Sequence, residues 1–483
     1  MPKAFSKLLC CRPILLTAII FSVTQSLAYS VLTHQEIIDL AWNDSIRPLL
    51  LAKFPGATEA QLREAHAYAY GGSAIQDMGY YPFGKKFFSN LTHYARTGDF
   101  ISCLVRGART IDEYAFAIGA LSHYLGDSIG HSQAINPATA LEFPKLEHEF
   151  GPTVTYGESP HGHIRTEFAF DIDELTDAAF APPAYLRFIG FQVPRKFLEH
   201  AFADTYGFDI HEVLGRAHPA LRSYRSSVRS FIPAFAEAEV VLHRHQFPPH
   251  PSDLAYHTFA ERVTQTNYER NWKHGNRGPG LRAHLLAILV FMIPKIGPAS
   301  DLAIKIPTTD TEDRYLHSLN HTVDTFRAML QNLAVRPGAA VAPSTAAPSK
   351  ADLENMDLQN TGLQNTDRPN TELQNTELQN TDLQNRDLQS ADFRNIDSQN
   401  DDLPNLDLDT GRRLKRGDYP LADQTYAQLL HRLVSKPDRT IPEPLEKNIV
   451  EFYEGPGTTA DLSQQIQDQL TLLKKMKTVH RAE

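Results

Sequence analysis

Cysteine is nearly absent. There are three in 483 residues, and two of them, Cys10 and Cys11, sit at the extreme N-terminus. A thiolate-based metal site or a disulfide framework is therefore excluded. Long apolar runs are also missing: Pro13–Val23 and Leu285–Ile293 are the most apolar stretches, and both are too short to span a bilayer comfortably. A polytopic membrane protein is excluded on that ground. Strand-like alternation is scarce, which points to an all-α fold. There is no excess of basic residues: 47 Lys+Arg face 57 Asp+Glu, net charge -10. Taken whole, that balance argues against a protein that binds nucleic acid by neutralising phosphates. The acidity is local, however. Residues 350–410 hold 14 acidic and four basic side chains, and the remainder carries 43 of each. A neutral remainder leaves an anionic lipid or a nucleotide open as substrate, and the acidic window reads as a solvated insertion that can be removed without loss of metal or activity.

What is present begins with a targeting signal. Lys3 and Lys7 precede the apolar Pro13–Val23, and Ser26-Leu27-Ala28 offers a peptidase site. Cleavage after Ala28 gives a secreted or periplasmic protein starting at Tyr29, with Cys103 as its only cysteine. From residue 29 to 333 the spacing predicts one helical domain, with helices over Thr33–Trp42, Thr58–Tyr70, Ile111–Gly126, Leu175–Leu186, Arg195–Tyr206, Leu221–Val241 and Thr322–Leu333. Leu285–Ile293 reads as core, with a membrane-docking surface as the sharper alternative. Residues 334–350 form a Pro/Ala linker. Twelve acidic pentads follow over 351–410, typified by Thr371–Asn375. They resemble the pentapeptide-repeat pattern, a four-sided β-helix, but a polar segment without fixed structure is the expected alternative. Helical spacing resumes over Leu421–Leu433 and Thr459–Lys475, in a C-terminal segment 411–483.

Histidine is plentiful, at 21. The chemistry concentrates in Ala120–Gln133, where His123, Asp127 and His131 follow one another at intervals of four and share one helix face. His163 and Glu167 repeat the spacing. Asp77, His93 and His34 are further ligand-type side chains. Imidazoles and carboxylates without thiolates suit zinc at a hydrolytic site, and a carboxylate between two histidines can bridge metals.

In this order the residues resemble the zinc-dependent phospholipase C/D family, which includes bacterial phospholipase C, the clostridial alpha-toxin and the N-terminal domain of the GPI-specific phospholipase D. Its fold is shared by the single-strand nucleases. The resemblance implies an all-α, multi-helix domain with up to three zinc ions held by Tyr29, His34, Asp77, His93, His123, Asp127, His131, His163 and Glu167. Tyr29 would bind through its backbone, in the place of the family's usual tryptophan. Asp127 would bridge, Asp77 would orient or deprotonate water, and a zinc-bound hydroxide would hydrolyse a phospholipid or another phosphodiester. Asp77 and Asp127 are thus the expected catalytic residues. The implied partners are that substrate and a transient membrane surface, with no transmembrane anchor. Arg96 and Arg165, next to ligand positions, are candidate phosphate contacts. Two alternatives stand beside this reading: a nuclease using Tyr80-Tyr81-Pro82-Phe83 as a stacking platform, and a non-catalytic zinc-binding or interaction protein.

Overall fold

In the computed structural model the described residues are 31–176, 180–247, 254–266, 280–292, 304–335, 403–455 and 462–479. The expected signal segment, Tyr29, the expected linker and the pentads up to residue 402 lie outside them. The described part is all-α. The principal helices are α1 (Val31–Ala41), α2 (Glu59–Gly72), α3 (Lys86–Tyr94), α4 (Thr97–Gly107), α5 (Ile111–Gly130), α6 (Pro160–Thr176), α7 (Pro183–Ile189), α8 (Arg195–Tyr206), α9 (Ala217–Ser226), α10 (Ile232–His243), α11 (Leu281–Met292), α12 (Thr309–Val335), α13 (Pro420–Val434), α14 (Glu443–Glu454) and α15 (Gln464–Leu473). Two three-residue strands, β1 (Thr440–Pro442) and β2 (Lys477–Val479), pair in parallel near the C-terminus.

The organising element is α5. Thr110 and Glu113 start it with a reciprocal capping box. Every residue from Tyr114 to Gly130 is buried, so α5 is enclosed all round rather than amphipathic. It packs against α1, α2, α4 and α12. One continuous apolar core runs from α1 through Leu406, Leu408 and the α13–α15 segment, which makes the C-terminal helices part of the same body. Among the described residues no helix is long and apolar enough to cross a membrane.

Three helices contain a π turn: Trp42–Ile46, His131–Ile135 and Ser227–Phe231. Each ends just before a proline, at Pro48, Pro137 and Pro233. A proline ring clashes with the carbonyl four residues back and offers no N–H, and widening the preceding turn relieves both problems.

Three expectations are corrected here. Leu175–Leu186 is not one helix. α6 ends at Thr176 and α7 starts after Pro182, because two successive prolines bias the preceding backbone out of the helical region. The apolar stretch in α11 is not uniformly core. Ala283, Ala287 and Val290 are buried, while Leu281, Leu285, Ile288, Phe291 and Met292 are exposed. Its small side chains face the protein, and five of its large ones face solvent. Finally, the last pentads are not a solvated insertion. Leu406, Asp407, Leu408 and Asp409 are all buried. Leu406 exchanges hydrogen bonds with Thr97 Oγ1, at 2.8 and 2.7 Å. Leu408 N–H donates to the His93 carbonyl at 3.1 Å, and Tyr124 Oη donates to the Pro404 carbonyl at 2.7 Å. At Gly98 a Cβ would lie 2.1 Å from the Leu403 carbonyl oxygen, so the segment seats only on a residue without one. Two apolar side chains and this backbone pairing outweigh the solvation of a short acidic stretch.

The boundary of the removable part therefore falls before residue 403. Excision of residues 351–400 should leave the melting temperature unchanged, whereas excision continued through Thr410 should lower it by several degrees, as measured by calorimetry of the two variants.

Candidate metal centre

Asp127 lies in the penultimate turn of α5 and is fully buried. Imidazoles from four directions point at it. His34 Nε2 from α1 is 3.3 Å from Oδ1. His93 Nε2 from α3 is 3.1 Å from Oδ2. His123 Nε2, one turn earlier on α5, is also 3.1 Å from Oδ2, and His131 Nε2, one turn later, is 3.7 Å from Oδ1. Asp77 Oδ1 is 3.4 Å from His93 Nε2. On the far side, Glu167 Oε1 lies 3.1 Å from His131 Nε2 and 2.9 Å from His163 Nε2. Eight of the positions expected from the sequence thus converge in one buried cluster, and Tyr29 lies outside the described residues.

The surroundings explain how each side chain is aimed. Gly126 opens the way for α1: a Cβ there would lie 3.2 Å from the His34 ring. His34 also stacks on His123, with centroids 4.2 Å apart. Asp171, one turn past Glu167 on α6, accepts from the Leu32 and Thr33 N–H groups at 3.1 Å each and from Thr33 Oγ1 at 2.6 Å. These are otherwise orphan donors of the first turn of α1, so the helix face that presents His163 and Glu167 also pins the helix that presents His34. His93 Nδ1 lies 2.8 Å from the Ser89 carbonyl and His123 Nδ1 lies 3.0 Å from the Ser73 carbonyl. A carbonyl only accepts, so both Nδ1 atoms carry a hydrogen and both Nε2 atoms face the cluster.

That arrangement tests the cluster for a cation. His93 Nε2 and His123 Nε2 stand 3.3 Å apart, close enough to share one proton or one cation, with Asp77 and Asp127 beside them. The buried carboxylates of Asp77, Asp127 and Glu167 meet imidazole nitrogens at 2.9 to 3.7 Å, and wherever such a nitrogen carries no hydrogen, acceptor faces acceptor. Buried acceptors without donors are costly, and a shared proton or a metal ion resolves the conflict. Three groups can hold a metal: His34, His123 and Asp127; Asp77, His93 and His123; and His131, His163 and Asp409. The donor set, all imidazole and carboxylate, fits zinc.

The protonation equilibria point the same way. Burial opposes a charge on His93, but the hydrogen bonds and negative charge of Asp127 and Asp77 overcome it and push its pKa up to about 10. Burial likewise opposes a charge on His131, and Asp127, Asp409 and Glu167 raise it well above the ordinary histidine range. His34 is lowered by burial and by neighbouring His123. Burial works against ionisation of Asp127, yet the surrounding imidazoles hold it well below the usual carboxylate range.

Asp409 was not foreseen. It belongs to the last pentad, whose composition suggested solvent. Its Oδ2 accepts from the Tyr156 N–H at 2.9 Å and from the Tyr419 hydroxyl, which leaves Oδ1 facing His131 Nδ1 at 3.5 Å. Asn136 Nδ2 donates to its carbonyl at 2.8 Å. Only the fold brings it here: composition masked it, and no spacing motif links it to His131. Arg96 and Arg165 are engaged elsewhere. Arg96 is buried and bonds Asp99 Oδ2 at 2.6 Å and the Thr205 carbonyl, and Arg165 lies over the Phe143 ring. The Tyr80–Phe83 stretch does not form one platform. Tyr80 turns towards His93 and Tyr156, Tyr81 packs on Tyr224, and Phe83 is exposed.

Two outcomes follow. Asp409→Asn should weaken zinc binding about 10- to 100-fold, the usual cost of losing a carboxylate beside a ligating histidine, as read by competition with a chelator. In metal-free protein, a His93 pKa raised from 6.5 to about 10 contributes stability that is complete below pH 6.5 and lost as pH rises towards 10. Zinc competes with those protons, so the gap between zinc-loaded and metal-free melting temperatures should widen over that window; a constant gap would contradict it.

No curated protein and no solved structure matches the chain. Residues 33–213 match the family model for zinc dependent phospholipase C, and this match supports that family for the stretch that carries His34, Asp77, His93, His123, Asp127, His131, His163 and Glu167.

Proposed function

We propose that this protein is a secreted zinc-dependent phosphodiesterase that hydrolyses a phospholipid in the manner of phospholipase C. The observation that carries the reading is the pair of imidazole Nε2 atoms of His93 and His123, 3.3 Å apart and flanked by Asp77 and Asp127, inside the stretch that matches the family. In this reading Asp77, His93, His123 and Asp127 would hold one zinc, His34 and Asp127 would hold a second together with the backbone of Tyr29, which lies outside the described residues, and His131, His163 and Glu167 would hold a third beside Asp409. Zinc there supplies Lewis-acid stabilisation of the phosphoryl charge and a water of lowered pKa.

The protein's own groups do the rest. Asp127 keeps the sites within a few ångströms of one another because both of its oxygens are shared among four imidazoles. The Ser89 and Ser73 carbonyls hold the Nδ1 sides of His93 and His123 and so turn both Nε2 atoms inward. Asp77, buried beside His93 with Oδ1 3.4 Å from its Nε2, is the group that would orient the attacking water and take its proton. Tyr80 and Tyr156 stand over His93 and His163, and the Lys86 ammonium lies 5.2 Å from the Tyr156 ring centroid, a cation available to a phosphate oxygen.

A lipid fits better than a nucleotide because α11 exposes Leu281, Leu285, Ile288, Phe291 and Met292, and its 12 residues include no acid. Such a face is suited to the boundary of a lipid aggregate.

Purified mature protein should contain close to three zinc ions and hydrolyse phosphatidylcholine in preference to a GPI-linked substrate or single-stranded DNA. Asp127→Asn should lose at least one zinc and nearly all turnover; full turnover by that variant would overturn the reading. The paired change Leu285→Glu and Phe291→Glu should cut turnover on vesicles about tenfold or more and leave a monomeric short-chain substrate unaffected, as measured by parallel assays. An equal loss on both would remove the membrane-facing role of α11.

A further inference from the structure

A cavity of about 610 Å³ lies apart from every proposed zinc ligand, lined by Arg187, Arg195, Arg222, Arg225, Arg229 and His218. The helix pattern explains why the arginines gather. Leu221, Tyr224 and Val228 bury one face of α9 and the π turn after it, and Arg222, Arg225 and Arg229 occupy the positions immediately following each of them. α7 and α8 bring Arg187 and Arg195 to the same opening.

The charge is poorly compensated. No carboxylate lines the cavity. Arg225 is held by neutral acceptors, the Phe191 carbonyl at 3.3 Å and Gln192 Oε1 at 2.6 Å. Arg195 has Glu199 at 3.7 Å, and His211 shares that carboxylate. Glu237 acts on Arg187 electrostatically. Arg222 and Arg229 have no ion-pair partner among the described residues. Five guanidinium groups around a concave wall repel one another, and the wall focuses their field into the opening. Arginine forks match the oxygens of phosphate in bidentate geometry. The volume lies within the range of ligand sites and exceeds what one orthophosphate fills, while the excess of charge calls for more than one phosphoryl group.

We infer that this cavity is a second binding site, for a compact anion carrying two or more phosphoryl groups, either free or as the headgroup of a lipid. It is independent of the proposed hydrolytic reaction and uses no residue of the zinc cluster.

The test is binding to the full-length, zinc-loaded protein at low ionic strength. Tripolyphosphate is titrated calorimetrically, and phosphatidylcholine vesicles with or without cardiolipin are tested by sedimentation. The double variant Arg222→Gln, Arg229→Gln should weaken the responding probe about tenfold or more, whereas Lys447→Gln, on the remote α14, should not. Tripolyphosphate binding assigns a free ligand, and cardiolipin-dependent sedimentation alone assigns a headgroup. The double variant should keep its zinc and melt no lower than the parent, because it removes repulsion. The inference is overturned if the parent binds neither probe, if binding persists undiminished in the double variant and so belongs elsewhere, or if the variant melts several degrees lower, which would make the arginines part of the fold. None of these outcomes bears on zinc content or turnover, which test the hydrolase reading separately.

Discussion

Asp127 is the constraint on which the rest of the molecule depends. One fully buried carboxylate is approached by four imidazoles at 3.1 to 3.7 Å, and the helix that carries it is enclosed on every side. A charge so placed costs several kcal/mol unless it is paired. The surrounding helices are arranged to supply the pairing: α1 enters past Gly126, α3 presents His93 with its ring turned by the Ser89 carbonyl one turn earlier, and α6 both presents Glu167 and caps α1 through Asp171. Breaking any one of these leaves an acceptor stranded in the core. The groups that make the interior hard to stabilise without a cation are the same imidazoles and carboxylates that could hold one.

The chain closes this centre from a distance. Between α12 and the return of described structure at residue 403 lies the acidic repeat, yet the residues that follow pair with α4, touch α3 and deliver Asp409 to His131. The family match ends at residue 213, so this contribution comes from a part of the chain outside the matched region. Placing Asp409 beside the histidine, with Tyr419 and the Tyr156 N–H holding its other oxygen, adds a carboxylate to a site that already has Glu167. Such a neighbour fixes the ring orientation and raises ligand basicity. Residues 253 to 309 positions apart are thereby joined by hydrogen bonds and an ion pair.

Much of this was legible in the sequence. The interval of four between His123, Asp127 and His131 places them on one helix face, and local helical periodicity is robust to context. The burial of α5 was foreshadowed by its apolar spacing. What was not legible depended on tertiary contact. Asp407 and Asp409 sit in a window whose composition is that of a solvated tail, and only the pairing of its last residues with Thr97 and His93 buries them. The π turn beginning at His131 has a local signal, the proline six residues on, but its consequence for side-chain direction is visible only in three dimensions. Hydrophobicity marked α11 without saying that its large side chains would face outward, and Arg222, Arg225 and Arg229 look like an ordinary solvated helix face until α7 and α8 set Arg187 and Arg195 at the same opening.

The account rests on the buried cluster being a metal centre. Anomalous diffraction recorded on both sides of the zinc absorption edge, from crystals of the mature protein, addresses this most directly. The account predicts zinc peaks among Asp77, His93, His123 and Asp127, beside His34, and between His131, His163 and Glu167. Intact crystals with well-ordered ligands and no anomalous peak in the cluster would contradict it.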